Sequence, residues 1–340
     1  MLFILPAIVA LIAVLAIMPN FISTMKERGF VGKDMNKFNK PMVAELGGAV
    51  VFLGFTFGIL SAIFLNTYLN LFNLDLTLIF AGFFTISIIV FIGLLDDIIG
   101  WKKGIRQWQH ALFPIIAALP LMAVQISNPP ISLPIIGLLP SEFLFPFGVI
   151  SFGLIYSLIF IPIGVTGASN ATNMLAGLNG LEAGLGFLII GTLGIISFIN
   201  GKMEALIFAV AILGALIGFL KYNWFPAKIF GGDSLTLMTG ASIAVISIIS
   251  DMEKIGIMLL VLFFVELYLK SRTKFQGESF GKPTKNGFLL SPKKKESLTH
   301  YFMGNKTEKQ VVKQLLFAQF IVCLIVMVLF LLNTYQIIII

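Results

Sequence analysis

The 340-residue chain is poor in what soluble proteins use most: 11% of it is charged, and it holds one cysteine and two histidines. The lone Cys323, inside the last apolar run, excludes an internal disulfide and cannot anchor a metal cluster; it reads as a small buried hydrophobe. So little charge cannot cover the surface of a globule this size. What replaces it is hydrophobic residue, 58% of the chain, with a mean hydropathy of +1.01. Lipid is therefore the expected solvent. A span takes roughly 20 apolar residues, so the chain reads as all-α, a polytopic membrane helix bundle of about ten spans forming one domain over residues 1–340. No basic residue precedes the first apolar stretch, Leu2 to Met18, while Lys26 and Arg28 follow it, which predicts a retained span rather than a cleaved leader.

The apolar runs place spans at about 2–22, 45–67, 76–95, 107–126, 143–166, 184–200, 204–222, 234–250, 255–270 and 314–338. An even number puts both termini on one side. Alternating the connections then gathers 21 of the 23 Lys and Arg on one face, in loops about 23–44, 96–106, 167–183, 223–233 and 271–313; only Lys202 and Lys254 fall opposite. The positive-inside rule makes the basic face cytoplasmic and both termini external, in a cell membrane or an ER-type membrane. Most of these lysines are explained by topology and anionic headgroups alone, Lys293, Lys294 and Lys295 among them. The net charge of +7 sits in short juxtamembrane loops with no nucleic-acid motif, so no nucleic-acid partner is expected. The sequons Asn170-Ala-Thr172 and Asn305-Lys-Thr307 fall on the cytoplasmic face, where neither should be glycosylated.

Three polar clusters interrupt this apolar background at the cytoplasmic ends of spans. Gly93-Leu-Leu-Asp96-Asp97 closes the third, with Lys102, Lys103 and Arg106 beyond it; adjacent carboxylates repel, so one needs a cation, a metal or a raised pKa. Asn170-Ala-Thr-Asn173-Met-Leu-Ala-Gly177-Leu-Asn179-Gly180-Leu-Glu182 follows the fifth and supplies carbonyl oxygens, a carboxylate and glycines that let backbone approach a ligand. Phe230-Gly-Gly-Asp233-Ser234 precedes the eighth and suits a tight turn facing a phosphate or metal. Helix caps and solvated helix ends are the plainer explanation for each cluster. Ionisable groups at membrane depth are costly, though, and three on one face point to a shared site.

The donors are all oxygen. Ligation by one or two protein oxygens plus substrate phosphates is the pattern of Mg²⁺, with Mn²⁺ able to substitute, and not of zinc. Basic residues for a diphosphate beside a lipid phase suggest phosphoryl transfer between a soluble nucleotide and a lipid.

In order along the chain, Gly32-Lys-Asp34-Met35-Asn36-Lys37, Glu45-Leu-Gly-Gly, the Asp-Asp pair, the Asn-rich loop, Gly-Gly-Asp-Ser and a long last cytoplasmic loop resemble the polyprenyl-phosphate N-acetylhexosamine-1-phosphate transferase family. That resemblance implies transfer of a sugar 1-phosphate from a UDP-sugar to a polyprenyl phosphate with release of UMP, a Mg²⁺ cofactor and a ten-span bundle. The loop Ala176-Gly-Leu-Asn-Gly180 is most similar to the archaeal and eukaryotic branch, which makes dolichyl-diphosphate-GlcNAc for N-glycosylation. The bacterial muramyl-pentapeptide branch carries a Thr-Asp-Gly loop and a late histidine cluster, whereas this chain has only His300 there. UDP-GlcNAc and a dolichyl-type phosphate are thus the expected substrates, and a homodimer is compatible with the family.

Carried over motif by motif, the resemblance makes Asn173 and Asp233 the metal ligands, Asn179 the reader of the uracil edge and Phe230 its stacking partner. Backbone near Met35 and Gly177 would line the nucleoside, Asp34 and Glu45 would support that loop, and Glu182 would orient it from behind. Asp96 and Asp97 would stand near the acceptor phosphate, one deprotonating it or one acting as a nucleophile. Arg106 replaces a lysine usual nine residues past the second aspartate and can clamp phosphate bidentately. Arg272 and Lys274 approximate the basic pair of the last loop. Another UDP-N-acetylhexosamine donor is the competing substrate. A secondary transporter would put its polar residues at mid-membrane on two related halves, a CDP-alcohol phosphotransferase would need an Asp-Gly-x-x-Ala-Arg signature, and the sequence shows neither.

Overall fold

Backbone that crosses lipid must satisfy its own hydrogen bonds, which leaves helices as the building unit for runs this apolar. A computed structural model of the chain describes residues 2–99, 107–124, 132–133, 137–138, 142–145 and 148–334. After a single turn at Leu2–Ile4 come α1 (Leu5–Glu27), the hairpin β1 (Val31–Lys33) and β2 (Met42–Ala44), α2 (Gly47–Leu69) and α3 (Leu76–Ile99). Then follow α4 (Gln107–Ala117), α5 (Leu119–Ala123) and two small hairpins, β3 (Ser132–Leu133) with β4 (Gly137–Leu138) and β5 (Glu142–Phe145) with β6 (Gly148–Ser151). The chain continues through α6 (Phe152–Ile155), a π-helical stretch Tyr156–Phe160, α7 (Ile161–Met174), α8 (Leu181–Ile199), α9 (Met203–Asn223) and α10 (Asp233–Ile249). It ends with α11 (Glu253–Leu259), α12 (Val261–Ser271), β7 (Lys282–Pro283), β8 (Phe288–Leu290), α13 (Thr299–Phe302), β9 (Lys306–Thr307) and α14 (Glu308–Thr334).

Six of these segments are long and apolar enough to cross a membrane, and shorter apolar helices such as α10 accompany them. The protein is accordingly a polytopic membrane protein of the helical class. Its centre is α10, buried at every residue from Ser234 to Ile249, as a helix apolar all round must be. α10 packs against α2, α3, α7, α8 and α9. The outermost helices instead turn large side chains outward, Phe317, Phe320 and Ile325 on α14 among them.

Several spans differ from their sequence expectation. The run placed at 143–166 is strand over Glu142–Phe145 and Gly148–Ser151, and helix only from Phe152, continuing to Met174. Aromatic and β-branched residues around Pro146 and Gly148 favour strand over helix there, and Asn170 to Met174 prove to be helix rather than loop. The ninth span is broken at Leu260 into α11 and α12. The last begins at Glu308, six positions before the apolar run, because Glu308, Lys309 and Lys313 hide a helical turn inside polar sequence.

α3 ends, α7 ends and α10 begins at one end of the bundle. At the other end Lys202 pairs with Asp251 at 2.6 Å and the Asp75 N–H donates to Glu204 at 2.9 Å.

Candidate active site

The N-terminus of a helix leaves backbone N–H groups unpaired, and at the start of α10 a side chain of α3 takes them up. Asp97, in the last turn of α3, accepts the N–H of Asp233 at 2.7 Å, the N–H of Ser234 at 3.1 Å and the Ser234 hydroxyl at 2.7 Å. Its carboxylate caps a helix that belongs to another span. Gly232 allows this approach: its φ of 73° is left-handed, and a Cβ there would lie 2.4 Å from Asp97 Oδ2. On the other side the segment before α10 joins the hairpin. The Phe230 N–H donates to Ala44 O at 2.8 Å, and the N–H groups of Gly47 and Gly48 donate to Phe230 O and Gly231 O at 2.9 and 2.8 Å.

Asp233 is thereby held facing Asn173, at the end of α7. The Asn173 Nδ2 donates to Asp233 Oδ2 at 3.3 Å, and the Thr236 hydroxyl donates to Asn173 Oδ1 at 3.0 Å. That hydroxyl has a second acceptor, Asp233 O, at 3.2 Å. The Asn173 amide can therefore turn over and keep Thr236 as a partner, now donating to its hydroxyl; the bond to Asp233 is given up, and the two oxygens then facing each other are a pair that a cation would bridge. Thr172 ties the same two helices together, its hydroxyl donating to Thr236 O at 2.8 Å.

The donor set suits Mg²⁺. Asn173 and Asp233 offer hard oxygens, and among the described residues no cluster of three or more Asp, Glu, His or Cys side chains could hold a metal by itself. A cation here would draw most of its shell from substrate and water oxygens, as Mg²⁺ does.

A second network holds the residues expected at the nucleoside. Asp34 follows β1 and is buried; its Oδ1 accepts the Asn36 N–H at 3.2 Å and its Oδ2 accepts Asn179 Nδ2 at 3.1 Å. Asn36 Nδ2 donates to Gly177 O at 2.7 Å, and Glu182 accepts the Gly177 N–H at the start of α8. Gly177 has a φ of 105°, with the Phe280 ring where a Cβ would stand. Met35 is half-buried beside them. Gly180 N–H donates to Asn223 Oδ1 at 3.1 Å, and Asn223 Nδ2 to Ile229 O at 2.9 Å, which carries the loop across to Phe230. A cavity of about 530 Å³, walled in part by Asp34, Lys37, Phe225, Lys285 and Glu308, opens alongside.

Glu45 links the two networks, folding over Gly32 of the hairpin, where a Cβ would meet its carboxylate. Burial pushes its carboxyl above the usual range, and the charge of Asp97 adds to the rise. Asp96 sits beside Asp97, half-buried.

Of the sequence-predicted residues, Asp34, Met35, Glu45, Asp97, Asn173, Gly177, Asn179, Glu182, Phe230 and Asp233 thus converge on one end of the bundle. Arg272 and Lys274 are exposed on the turn after α12. Arg106 lies outside the described residues. Four contributors were missed. Lys37 and Glu308 pair across the chain. Lys270, near the end of α12, donates to Met174 O at 2.6 Å, capping the helix that carries Asn173, and pairs with the fully buried Glu266 at 3.6 Å. An ionisable pair four residues apart inside an apolar span was the available signal for Glu266 and Lys270.

Comparison with known proteins identifies the family. The sequence model described as glycosyl transferase family 4 matches residues 79–251, from α3 through α10. A protein of Saccharolobus solfataricus is 36% identical over 291 residues, 84% of each chain, and one of Sulfolobus acidocaldarius is 36% identical over 284 residues, 83% of this chain and 81% of that one. Both carry the provisional name UDP-N-acetylglucosamine–dolichyl-phosphate N-acetylglucosaminephosphotransferase. The phospho-N-acetylmuramoyl-pentapeptide-transferase of Halalkalibacterium halodurans is 30% identical over 271 residues, 78% of this chain and 77% of its own. With such relatives along most of its length and the family match centred on the helices that build the site, the chain belongs to glycosyl transferase family 4.

Proposed function

We propose that the protein transfers N-acetylglucosamine 1-phosphate from UDP-GlcNAc to a polyprenyl phosphate of the dolichyl kind, releasing UMP, at a site on the cytoplasmic face with Mg²⁺ as cofactor. The observation that carries the reading is the meeting of Asn173 and Asp233 at 3.3 Å, beside Asp96 and Asp97 at a helix end. It joins an oxygen-only cation site to a pair of carboxylates at the edge of the apolar bundle. The names of the two archaeal relatives support the choice of substrates.

Asn173 and Asp233 would hold Mg²⁺, whose charge offsets that of the diphosphate. The remaining steps belong to side chains. Both oxygens of Asp97 are engaged by the start of α10, so Asp97 fixes Asp233 in place, and the task of base is assigned to Asp96, the other member of the carboxylate pair. The Asp96 carboxylate takes the proton of the acceptor phosphate. An oxygen of that phosphate then attacks the phosphorus bearing the sugar, a new P–O bond forms, and the bond to the uridine-bearing phosphate breaks to free UMP. No covalent enzyme adduct is required. Asn179 reads the uracil edge, Phe230 stacks on the ring, and the backbone at Gly177 and Met35 lines the nucleoside, with Asp34 and Glu182 fixing the loops that carry them.

A panel of UDP-GlcNAc, UDP-GalNAc and UDP-N-acetylmuramyl-pentapeptide, each offered with a dolichyl phosphate and followed by mass spectrometry of the lipid product, tests the assignment. UDP-GlcNAc should be used best. A lipid product from the pentapeptide donor alone would assign the chain to the other branch. The orientation is tested by Lys285→Cys in sealed vesicles, which an impermeant maleimide should label only from the cytoplasmic side.

A further inference from the structure

Glu308 opens α14, where the last cytoplasmic loop returns to the bundle, and it belongs to none of the motifs that mark the site. Only 2% of it is exposed. A carboxylate in the first turn of a helix is commonly a solvated answer to the helix dipole, but this one turns to other elements. Its Oε1 accepts the backbone N–H of Asn179 at 2.7 Å, and its Oε2 accepts the ammonium of Lys37. Lys37 Nζ also lies 3.3 Å from Asp34 Oδ2, the atom that accepts Asn179 Nδ2 at 3.1 Å. Asn179, Asp34, Lys37 and Glu308 close a ring that joins the β1–β2 loop, the loop after α7 and the start of α14.

The ring grips Asn179 twice, by its main-chain N–H from Glu308 and by its side-chain amide from Asp34. The approach to Glu308 is itself fixed, because β9 pairs Leu289 with Lys306 and Phe288 with Thr307 just before it. The same loop rests on the nucleoside segment a second time, through the Gly281 N–H to Asn36 Oδ1 at 3.3 Å and the Phe280 ring against Gly177.

We infer that Glu308 is a positioning residue for recognition of the donor's nucleoside, setting the backbone of Asn179 directly and its amide through Lys37 and Asp34. The inference rests on the reading of Asn179 as a nucleotide-binding residue. A residue that acts this way changes the affinity for the donor and leaves the phosphoryl step alone. A residue serving only the fold would lower the amount of active protein and so depress kcat without altering KM.

The test is steady-state kinetics on the purified full chain, with UMP release measured against donor concentration, for Glu308→Gln, Asn179→Ala and the two combined. Each single substitution should raise the donor KM about tenfold and change kcat by no more than about twofold. The pair should be no worse than either alone, since both act on one contact. An unchanged KM in Asn179→Ala overturns the nucleoside reading itself. A raised KM in Asn179→Ala beside an unchanged KM in Glu308→Gln, or additive effects in the double variant, overturns the role of Glu308 and leaves that reading standing. If Glu308→Gln does not fold, Glu308→Asp decides: it keeps the charge but cannot reach both partners, so its KM should rise, and a wild-type KM overturns the inference.

Discussion

Asp97 caps the helix that begins with Asp233, although 136 positions separate the two residues. Two acidic residues meet here through the backbone N–H of Asp233 and the carboxylate of Asp97, and the contact bears on how the Asp96-Asp97 pair divides its work. Asp97→Asn keeps the shape of the side chain but only one acceptor oxygen, so the start of α10 should loosen. Turnover should fall at least about tenfold, and stability by about 1 kcal/mol, the usual worth of a cap. Asp96→Asn should cost about 10²-fold or more in turnover, as loss of a general base does, with a smaller loss of stability than Asp97→Asn. Thermal unfolding and UMP release, measured on both variants, separate the roles. Equal destabilisation by the two would merge them.

Thr236 holds the Asn173 amide by a hydroxyl 3.0 Å from its oxygen. Thr236→Val preserves the volume and removes that bond. Groups that orient a metal ligand are typically worth about 10- to 100-fold in metal affinity. The Mg²⁺ concentration for half-maximal UMP release should therefore rise at least about tenfold, while the donor KM at saturating Mg²⁺ stays put. An unchanged Mg²⁺ requirement would remove Asn173 from the cation site.

Glu45 has its carboxyl pushed above the usual value of 4.5 by burial and then by the charge of Asp97. The folded protein therefore holds this proton more tightly than the unfolded chain does. Stability from Glu45 is fullest in acid and declines as pH rises past 4.5 toward the raised folded value. Glu45→Gln, which carries no charge at any pH, should be more stable than wild type at pH 7, and the advantage should shrink toward pH 4.5. Thermal midpoints of both proteins across that interval give the comparison; a pH-independent difference would contradict it.

His300 is held in one neutral tautomer: its Nδ1 accepts the Glu296 N–H and its Nε2–H donates to Phe280 O, each at 3.1 Å. Burial lowers its pKa from the usual 6.5. The neutral ring contributes stability above 6.5, and that contribution is lost as pH falls through 6.5 toward the lower folded value. Acidification should loosen the segment around Phe280. Protection factors of residues 276–300, which take out the intrinsic slowing of exchange in acid, should fall between pH 7 and 5 in wild type, and His300→Gln should flatten that dependence.

Glu266 and Lys270 form an ion pair on α12, and Lys270 also caps α7. Removing one member of a buried pair costs about 3–5 kcal/mol because a charge is left without its partner. Lys270→Met should therefore lower the thermal midpoint sharply, and adding Glu266→Gln should restore most of it. A double variant as unstable as the single would show that the Met174 contact, rather than the pair, is what matters.

The parts of the site that could be read from sequence are those where a polar residue has no reason to be in an apolar helix. Asp96, Asp97, Asn173 and Asp233 stand out on that ground. So does the order of the motifs, whose residues Asp34, Asn179 and Phe230 lie at one end of the bundle. What sequence could not show is who partners whom. Nothing in the pair Asp96-Asp97 tells which of the two carries α10, and Glu308 beside Lys309 and Lys313 has the pattern of an ordinary solvated helix start. Span boundaries slipped where apolar composition and helical conformation part company. Glu142–Phe145 and Gly148–Ser151 form strands, and the ninth span breaks at Leu260 within an apolar stretch.

Release of UMP from UDP-GlcNAc by the purified protein, followed in the presence of dolichyl phosphate and increasing Mg²⁺, bears most directly on the proposed reaction. UMP should appear only when lipid phosphate and divalent cation are both present, EDTA should stop it, and Asp233→Ala should abolish it while the variant remains folded. UMP release that persists in EDTA, or near-normal turnover by Asp233→Ala, would contradict the cation site formed by Asn173 and Asp233.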